Sequence, residues 1–112
     1  MVIAAGRLRN RIEIVRPVET DTGTGGSTTT WQSVARPWAE VIGMTGKEAV
    51  LEKVLQGIRV YRITLRHRRD ITEDCQIRYG TEDLNIRSAV DPTGRREETV
   101  IIADTDGALP TR

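Results

Sequence analysis

Residues 59–68 read Arg-Val-Tyr-Arg-Ile-Thr-Leu-Arg-His-Arg, and polarity alternates along them. Successive side chains of a strand point to opposite faces, so this run forms a strand with two unlike sides. Tyr61, Ile63, Leu65 and His67 share an apolar face. Val60, Arg62, Thr64, Arg66 and Arg68 share a face crowded with guanidinium groups. The chain therefore needs a sheet that buries one side of this strand, and any function has to account for the other side.

The rest of the chain follows the same period. Ile12, Ile14 and Pro17 mark a first strand, with Arg11 and Glu13 on its opposite phase. Residues 31–34 and 38–42 are further extended segments, separated by Arg36-Pro37, where proline marks a strand start, an edge or a bulge. Cys75, Ile77 and Tyr79 alternate against Gln76 and Arg78. Gly80-Thr81-Glu82-Asp83 is read as a hairpin turn and residues 84–90 as its return strand. Asp91-Pro92-Thr93-Gly94 has the residue order of a type I turn, and residues 99–103 make a last strand. One helix interrupts the pattern. Thr45 and Glu48 have capping-box spacing, and Val50, Leu51, Val54, Leu55 and Ile58 recur at helical spacing before Gly57 can end it. The expected fold is mainly β: a small antiparallel barrel or sandwich of six or seven strands, with one short helix at about 46–56 and a long flexible loop. Residues 10–103 are expected to form the single barrel domain. Residues 1–9 read as a flexible arm, 19–30 as a mobile loop rich in Gly and Thr, and 104–112 as a loose polar tail.

A chain of 112 residues with 38% hydrophobic content and no Phe must build its core from Ile, Val and Leu, and such a thin core favours burial against a partner. Seventeen basic against sixteen acidic residues leave a net charge of +1, too balanced for a protein that mainly coats nucleic acid. Fifteen of the basic residues are Arg and two are Lys, a bias shared with protein interfaces. Cys75 is the only cysteine, which excludes an internal disulfide and fits a small buried hydrophobe in a reducing compartment. No segment has the length and apolarity of a signal h-region or a membrane span.

Catalytic signatures are missing. His67 is the only histidine, and no nucleophile or carboxylate is placed to work with it; a partly buried structural role fits its strand phase. One His and one Cys do not make a zinc site, and the Asp residues fall in turns. Gly23, Gly25 and Gly26 precede a strand, whereas a phosphate-binding loop leads into a helix. No catalytic, cofactor-binding or metal-binding residue is assigned. Trp31 and Trp38 read as core or interface anchors. The arginine face has three readings: a solvated face, a subunit interface, or a surface turned toward DNA. The third makes the chain a small nucleic-acid-binding barrel, with the five arginines of residues 59–69 on phosphates and the tryptophans stacking bases. A hydrolase built around His67 is a remote third class.

Several motifs, in this order and spacing, resemble the phage head–tail joining family, the head-closure, stopper or adaptor proteins of long-tailed bacteriophages and prophages. They are Ala5-Gly6-Arg7-Leu8-Arg9-Asn10-Arg11-Ile12, Trp31 after the Gly/Thr-rich loop, Pro37-Trp38-Ala39-Glu40-Val41, Gly46-Lys47-Glu48, Tyr61-Arg62-Ile63-Thr64-Leu65-Arg66, Asp70-Ile71-Thr72, and a hairpin over residues 77–86. The resemblance implies a non-enzymatic virion protein with a small barrel fold and no cofactor. It would form a ring of six or twelve copies below the portal or adaptor, close the DNA-filled head and dock the tail or tail-terminator protein. Contact with genomic DNA would be passing, and no membrane is involved. The protein would be found in the host cytoplasm during assembly and then at the head–tail junction of the virion. Expected assembly contacts are Arg7, Arg9, Arg11, Trp38, Glu40, Arg62, Arg66 and Arg68. Thr22, Gly23, Thr24, Gly25, Gly26 and Ser27 would form a channel-facing or clamping loop.

Overall fold

The computed structural model describes residues 5–45 and 48–111. After a 3-10 turn at Ala5–Arg7 come β1 (Asn10–Arg11), β2 (Glu13–Asp21), β3 (Ser27–Ala35) and β4 (Trp38–Gly43). Helix α1 (Glu48–Leu55) follows, then β5 (Val60–Arg66), β6 (Gln76–Tyr79), β7 (Glu82–Val90) and β8 (Glu98–Asp104). The fold is mainly β with one short helix, as the alternation requires. All strand pairings are antiparallel, in the order β1-β4-β5-β8-β7-β6-β2-β3. Only Ile12 separates β1 from β2, so one stretch of chain borders β4 with its first residues and β6 with the next ones. This curls the sheet into a half-barrel around a core that includes Ile12, Ile14, Ile63, Leu65, Ile77, Leu84 and Ile101.

On β5 the core-facing phase is the one its alternation indicates. Ile63 and Leu65 are fully buried, and Cys75 lies in the same core. Tyr61 and Tyr79 meet edge to face, with ring centroids 5.5 Å apart, at the rim of this core. The Tyr61 hydroxyl donates to Glu82 at 3.1 Å; burial, then that carboxylate, raises its pKa. The β6–β7 connection is tighter than expected. Gly80 and Thr81 alone make the turn, and Gly80 at φ +60° occupies the first central position, as in a type II′ turn. Helix α1 ends in a Schellman motif: Ile58 N–H donates to Lys53 C=O and Gly57 N–H to Val54 C=O, with Gly57 at φ +81°. The described part of the helix is Glu48–Leu55; residues 46 and 47, which the expected 46–56 helix and the Thr45–Glu48 capping box include, lie outside the described residues.

Two segments differ from the sequence expectation. Most of residues 19–30 is strand: β2 and β3 stay paired out to Asp21↔Ser27, which leaves only Thr22–Gly26 as the turn. A threonine-rich sequence with no apolar residue suits a solvent-exposed strand as well as a loop, and the cross-strand partners decided between them. β6 pairs β2 only as far as Val15, so residues 16–21 and 27–32 form a two-stranded ribbon about 20 Å long at 3.3 Å per residue. Because β6 has ended, Pro17 meets no further strand on that side. The ribbon accounts for a longest extent of 51 Å and a radius of gyration of 15.2 Å, against about 13 Å for a compact chain of this length.

The tail is held rather than loose. The Gln76 side chain clasps the Leu109 backbone, donating to its C=O at 2.8 Å and accepting from its N–H at 2.9 Å. Thr111 is buried and donates to Asp83, while Arg78 bonds both its hydroxyl and its carbonyl. Arg78 also pairs with Glu13 at 2.7 Å, and Arg36 meets the same carboxylate at 3.0 Å. The Arg78 hydrogen bond outweighs burial and lowers the Glu13 pKa to about 2. A polar tail looks loose in sequence because its binding groups are polar atoms of β6 and β7, which carry no hydrophobic signal.

Candidate assembly surface

The outer side of the sheet carries the residues the inner side excludes. On β4 these are Trp38, Glu40 and Ile42; on β5 they are Arg62, Thr64 and Arg66. On β8 they are Glu98, Val100 and Ile102, and on β7 Ser88 and Val90. Register places Arg11 opposite Trp38, Glu40 opposite Thr64, and Ile42 opposite Arg62. The guanidinium face is therefore also apolar. Trp38, Ile42 and Val90 are about half exposed (46–53%), while Thr64 and Val100 are buried among the longer side chains beside them. Thr64 is thus buried despite lying on the polar phase.

Helix α1 extends this surface. Its Lys53 ammonium reaches the fully buried Asp104 carboxylate at 2.8 Å and ties the helix to the β8 end of the sheet. Burial raises the Asp104 pKa, but hydrogen bonds from Arg87 and Lys53 outweigh it and leave a net lowering. A register shift between Ile86 and Ser88 frees Arg87 to make its bonds to Asp104, at 2.9–3.1 Å. A cavity of about 240 Å³ lies between the helix and the sheet, lined by residues including Met44, Val54, Ile58 and Tyr61. Leu51 and Leu55, expected on the helix's buried face, are 46% and 79% exposed. Eight residues of helix against one strand edge bury only part of an amphipathic face, so an apolar remainder stays open to solvent.

All eight expected contact residues gather around β4 and β5. Arg7 makes a two-pronged pair with Glu40 at 2.9 and 3.0 Å, which raises the Arg7 pKa and lowers that of Glu40. Arg9 and Arg7 border a hollow that also includes Glu40 and Asn10. The Arg11 guanidinium lies 5.2 Å from the Trp38 ring centroid, a cation–π arrangement. Arg66, Arg68 and His67 line a hollow of about 250 Å³ with Leu8, Pro37 and Trp38. Arg68 is neutralised by Asp70 at 2.7 Å. Among the described residues, Arg62 and Arg66 have no ion pair. Both ring nitrogens of His67 are buried without a hydrogen-bond partner, and Asp91 lies 4.0 Å away. The expected loop residues Thr22 to Ser27 sit at the ribbon tip, far along the chain from this face. Sequence reasoning missed Ile42, Val90, Leu51 and Leu55, because each fits a strand or helix period equally well facing inward or outward.

Trp38 is not a core residue, although an aromatic beside Ala39 and Val41 reads as one. Trp38→Ala is expected to lower folding stability by no more than about 1 kcal/mol, the scale of an exposed cation–π contact, as read by urea unfolding. A loss above 2 kcal/mol would place the indole in the fold's core instead.

This surface carries two residue types enriched in contact faces, Trp and Arg. Among the described residues, no three or more His, Cys, Asp or Glu side chains converge as a metal site. A search of curated proteins finds no match. Similar solved structures include these two. One is the solution structure of protein SF1141 from Shigella flexneri 2a, 29% identical, with a TM-score of 0.71 over 94% of this chain and 98% of that one. The other is from the virion of a native gene transfer agent particle, 17% identical, with a TM-score of 0.63 over 92% of this chain and 98% of that one; it shares the fold. Residues 3–106 match the model of the phage head completion proteins, so the chain belongs to that family and is a structural component of the phage head.

Proposed function

We propose that the protein is a ring subunit at the head–tail junction, seated below the portal or adaptor, closing the filled head and offering a surface to the tail. The observation that carries this reading is the outer face of β4 and β5. There Trp38 and Ile42 are exposed beside Arg62 and Arg66, which have no ion pair among the described residues. A solvent-facing indole beside guanidinium groups that make no ion pair on one sheet face is what a partner surface would cover. A similar chain in a gene transfer agent virion supports a place in the particle. In this reading Arg7 and Glu40 shape the face, Arg9, Arg11 and Arg68 border it, and the tip residues Thr22 to Ser27 reach the channel axis or clamp a neighbour.

The test is electron microscopy of particles and of the protein mixed with its portal complex. A ring of density below the portal, lost in particles made without this chain, is the expected result. Particles that keep DNA and bind tails without it would overturn the reading. Trp38→Ala should cut incorporation into particles at least tenfold while the protein stays folded. The exposed Trp38 beside arginines also suits nucleic acid. Tight DNA binding by the isolated chain, falling 10³-fold or more (on the order of a many-phosphate contact) between 50 and 200 mM salt, would favour the DNA-binding barrel.

A further inference from the structure

We infer that the β2–β3 ribbon of one copy lies along the outer β4–β5 face of the next copy. This rests on the ring reading above and names the surfaces that would join one subunit to another. Glu19 and Asp21 are the only charged residues between Arg16 and Arg36. Register puts Pro17 opposite Trp31, Glu19 opposite Thr29 and Asp21 opposite Ser27, so these six residues share one side of the ribbon. That side has an apolar base and two carboxylates toward the tip. Neither carboxylate has an ion pair among the described residues; Asp21 accepts only the Gly23 N–H, at 2.9 Å.

The outer face combines guanidinium groups with apolar side chains. Arg66 and Arg62 stand four residues apart on β5, about 13 Å, with Trp38 beside the first and Ile42 beside the second. Pro17 to Asp21 spans a similar length on the ribbon, with its two carboxylates, about 7 Å apart, in the half nearer the tip. The ribbon side is acidic and partly apolar; the outer face is partly apolar and, with Arg7, Arg11, Arg62 and Arg66 against Glu40 and Glu98, carries a surplus of positive charge, so the two are complementary in charge. The two surfaces are separate and unlike, so the contact is head-to-tail, the kind from which a ring, rather than a two-fold dimer, is built. A two-stranded ribbon is marginal by itself in water, and a neighbour's face would supply its missing packing.

Charge exchange tests the contact in the full chain. The double variants Glu19→Arg with Asp21→Arg, and Arg62→Glu with Arg66→Glu, should each lower incorporation into particles at least tenfold. All four changes in one chain should restore it to within about threefold of the parent, because the attraction between copies is rebuilt with its signs reversed. A four-change chain no better than the weaker double variant, with thermal melting like the parent's, would overturn the contact. So would loss from the arginine variants alone, which would assign the face to another head or tail protein. A second measurement avoids any dependence on variant yield. In particles built from an equal mixture of Asp21→Cys and Arg62→Cys chains, oxidation should link the two kinds of chain; links only within one kind, or none, would overturn it. If the protein is present in the ring and the exchange still fails, only this contact is wrong. If no ring contains the protein, the proposed function itself has failed.

Discussion

Ile63→Ala is expected to destabilise the fold by about 3–4 kcal/mol, enough to lower the melting temperature by roughly 15 °C in a chain of this length. Ile63 is fully buried on β5, between Val41 of β4 and Ile101 of β8. β5 itself is paired on both sides around Ile63, so it cannot shift as an edge strand could to fill a cavity. The core also contains no Phe and only part of one aromatic pair, so few large side chains are available to collapse into the space. Urea unfolding followed by circular dichroism measures the loss. A cost below 1 kcal/mol would mean that the half-barrel relaxes around the site. Leu55 has the same hydrophobicity but is mostly exposed, and Leu55→Ala under the same conditions should fall within about 0.5 kcal/mol of the parent.

Asp104→Asn is expected to cost about 2 kcal/mol at neutral pH. The side chain is fully buried, receives Lys53 and Arg87, and caps the Asp106 N–H at 3.1 Å. Removing one partner of a buried pair costs about 3–5 kcal/mol where the charges left behind cannot reach water. Lys53 and Arg87 keep partial solvent access (38% and 42%), so the loss falls below that range. The pH dependence has a definite sign. Folding lowers the Asp104 pKa below the ordinary 3.8, so its contribution is complete above that value and disappears as pH falls through the folded value. Parent and variant should therefore converge in strong acid. Glu13, lowered from 4.5 to about 2, adds a second acid-sensitive contribution that both chains share. A stability gap that stays constant from pH 7 to pH 2 would show that the carboxylate's charge is not what holds the helix and the β7 bulge together.

The fold class was legible because alternation reports local geometry directly. Once residues 60–66 are a strand, the identities of Ile63 and Leu65 determine which side is buried. The helix stop at Gly57 and the turns at Gly80 and Asp91 were equally local, since each depends on a backbone preference within a few residues. The ribbon was not legible. A run of Thr, Ser and Gly carries no face preference, and only the pairing of Glu19, Thr20 and Asp21 with their partners across the hairpin makes it a strand. The tail was misread for a related reason. Gln76 and Thr111 act through hydrogen bonds to groups more than twenty residues away, which no period reveals.

The candidate site divides the same way. From the sequence alone came a mainly β fold, a core of aliphatic residues, a strand with one arginine-laden side, and membership expectations later matched by the family over residues 3–106. Tertiary structure decided what that arginine side is. It turned Trp38 outward, placed Ile42 and Val90 on the same surface, paired Arg7 with Glu40 and Arg68 with Asp70, and left Arg62 and Arg66 without such partners. The physical reason is that alternation assigns a residue to a face within its own strand. Whether that face is solvated, paired or covered depends on the neighbouring strands, and their register is set by the packing of the whole sheet.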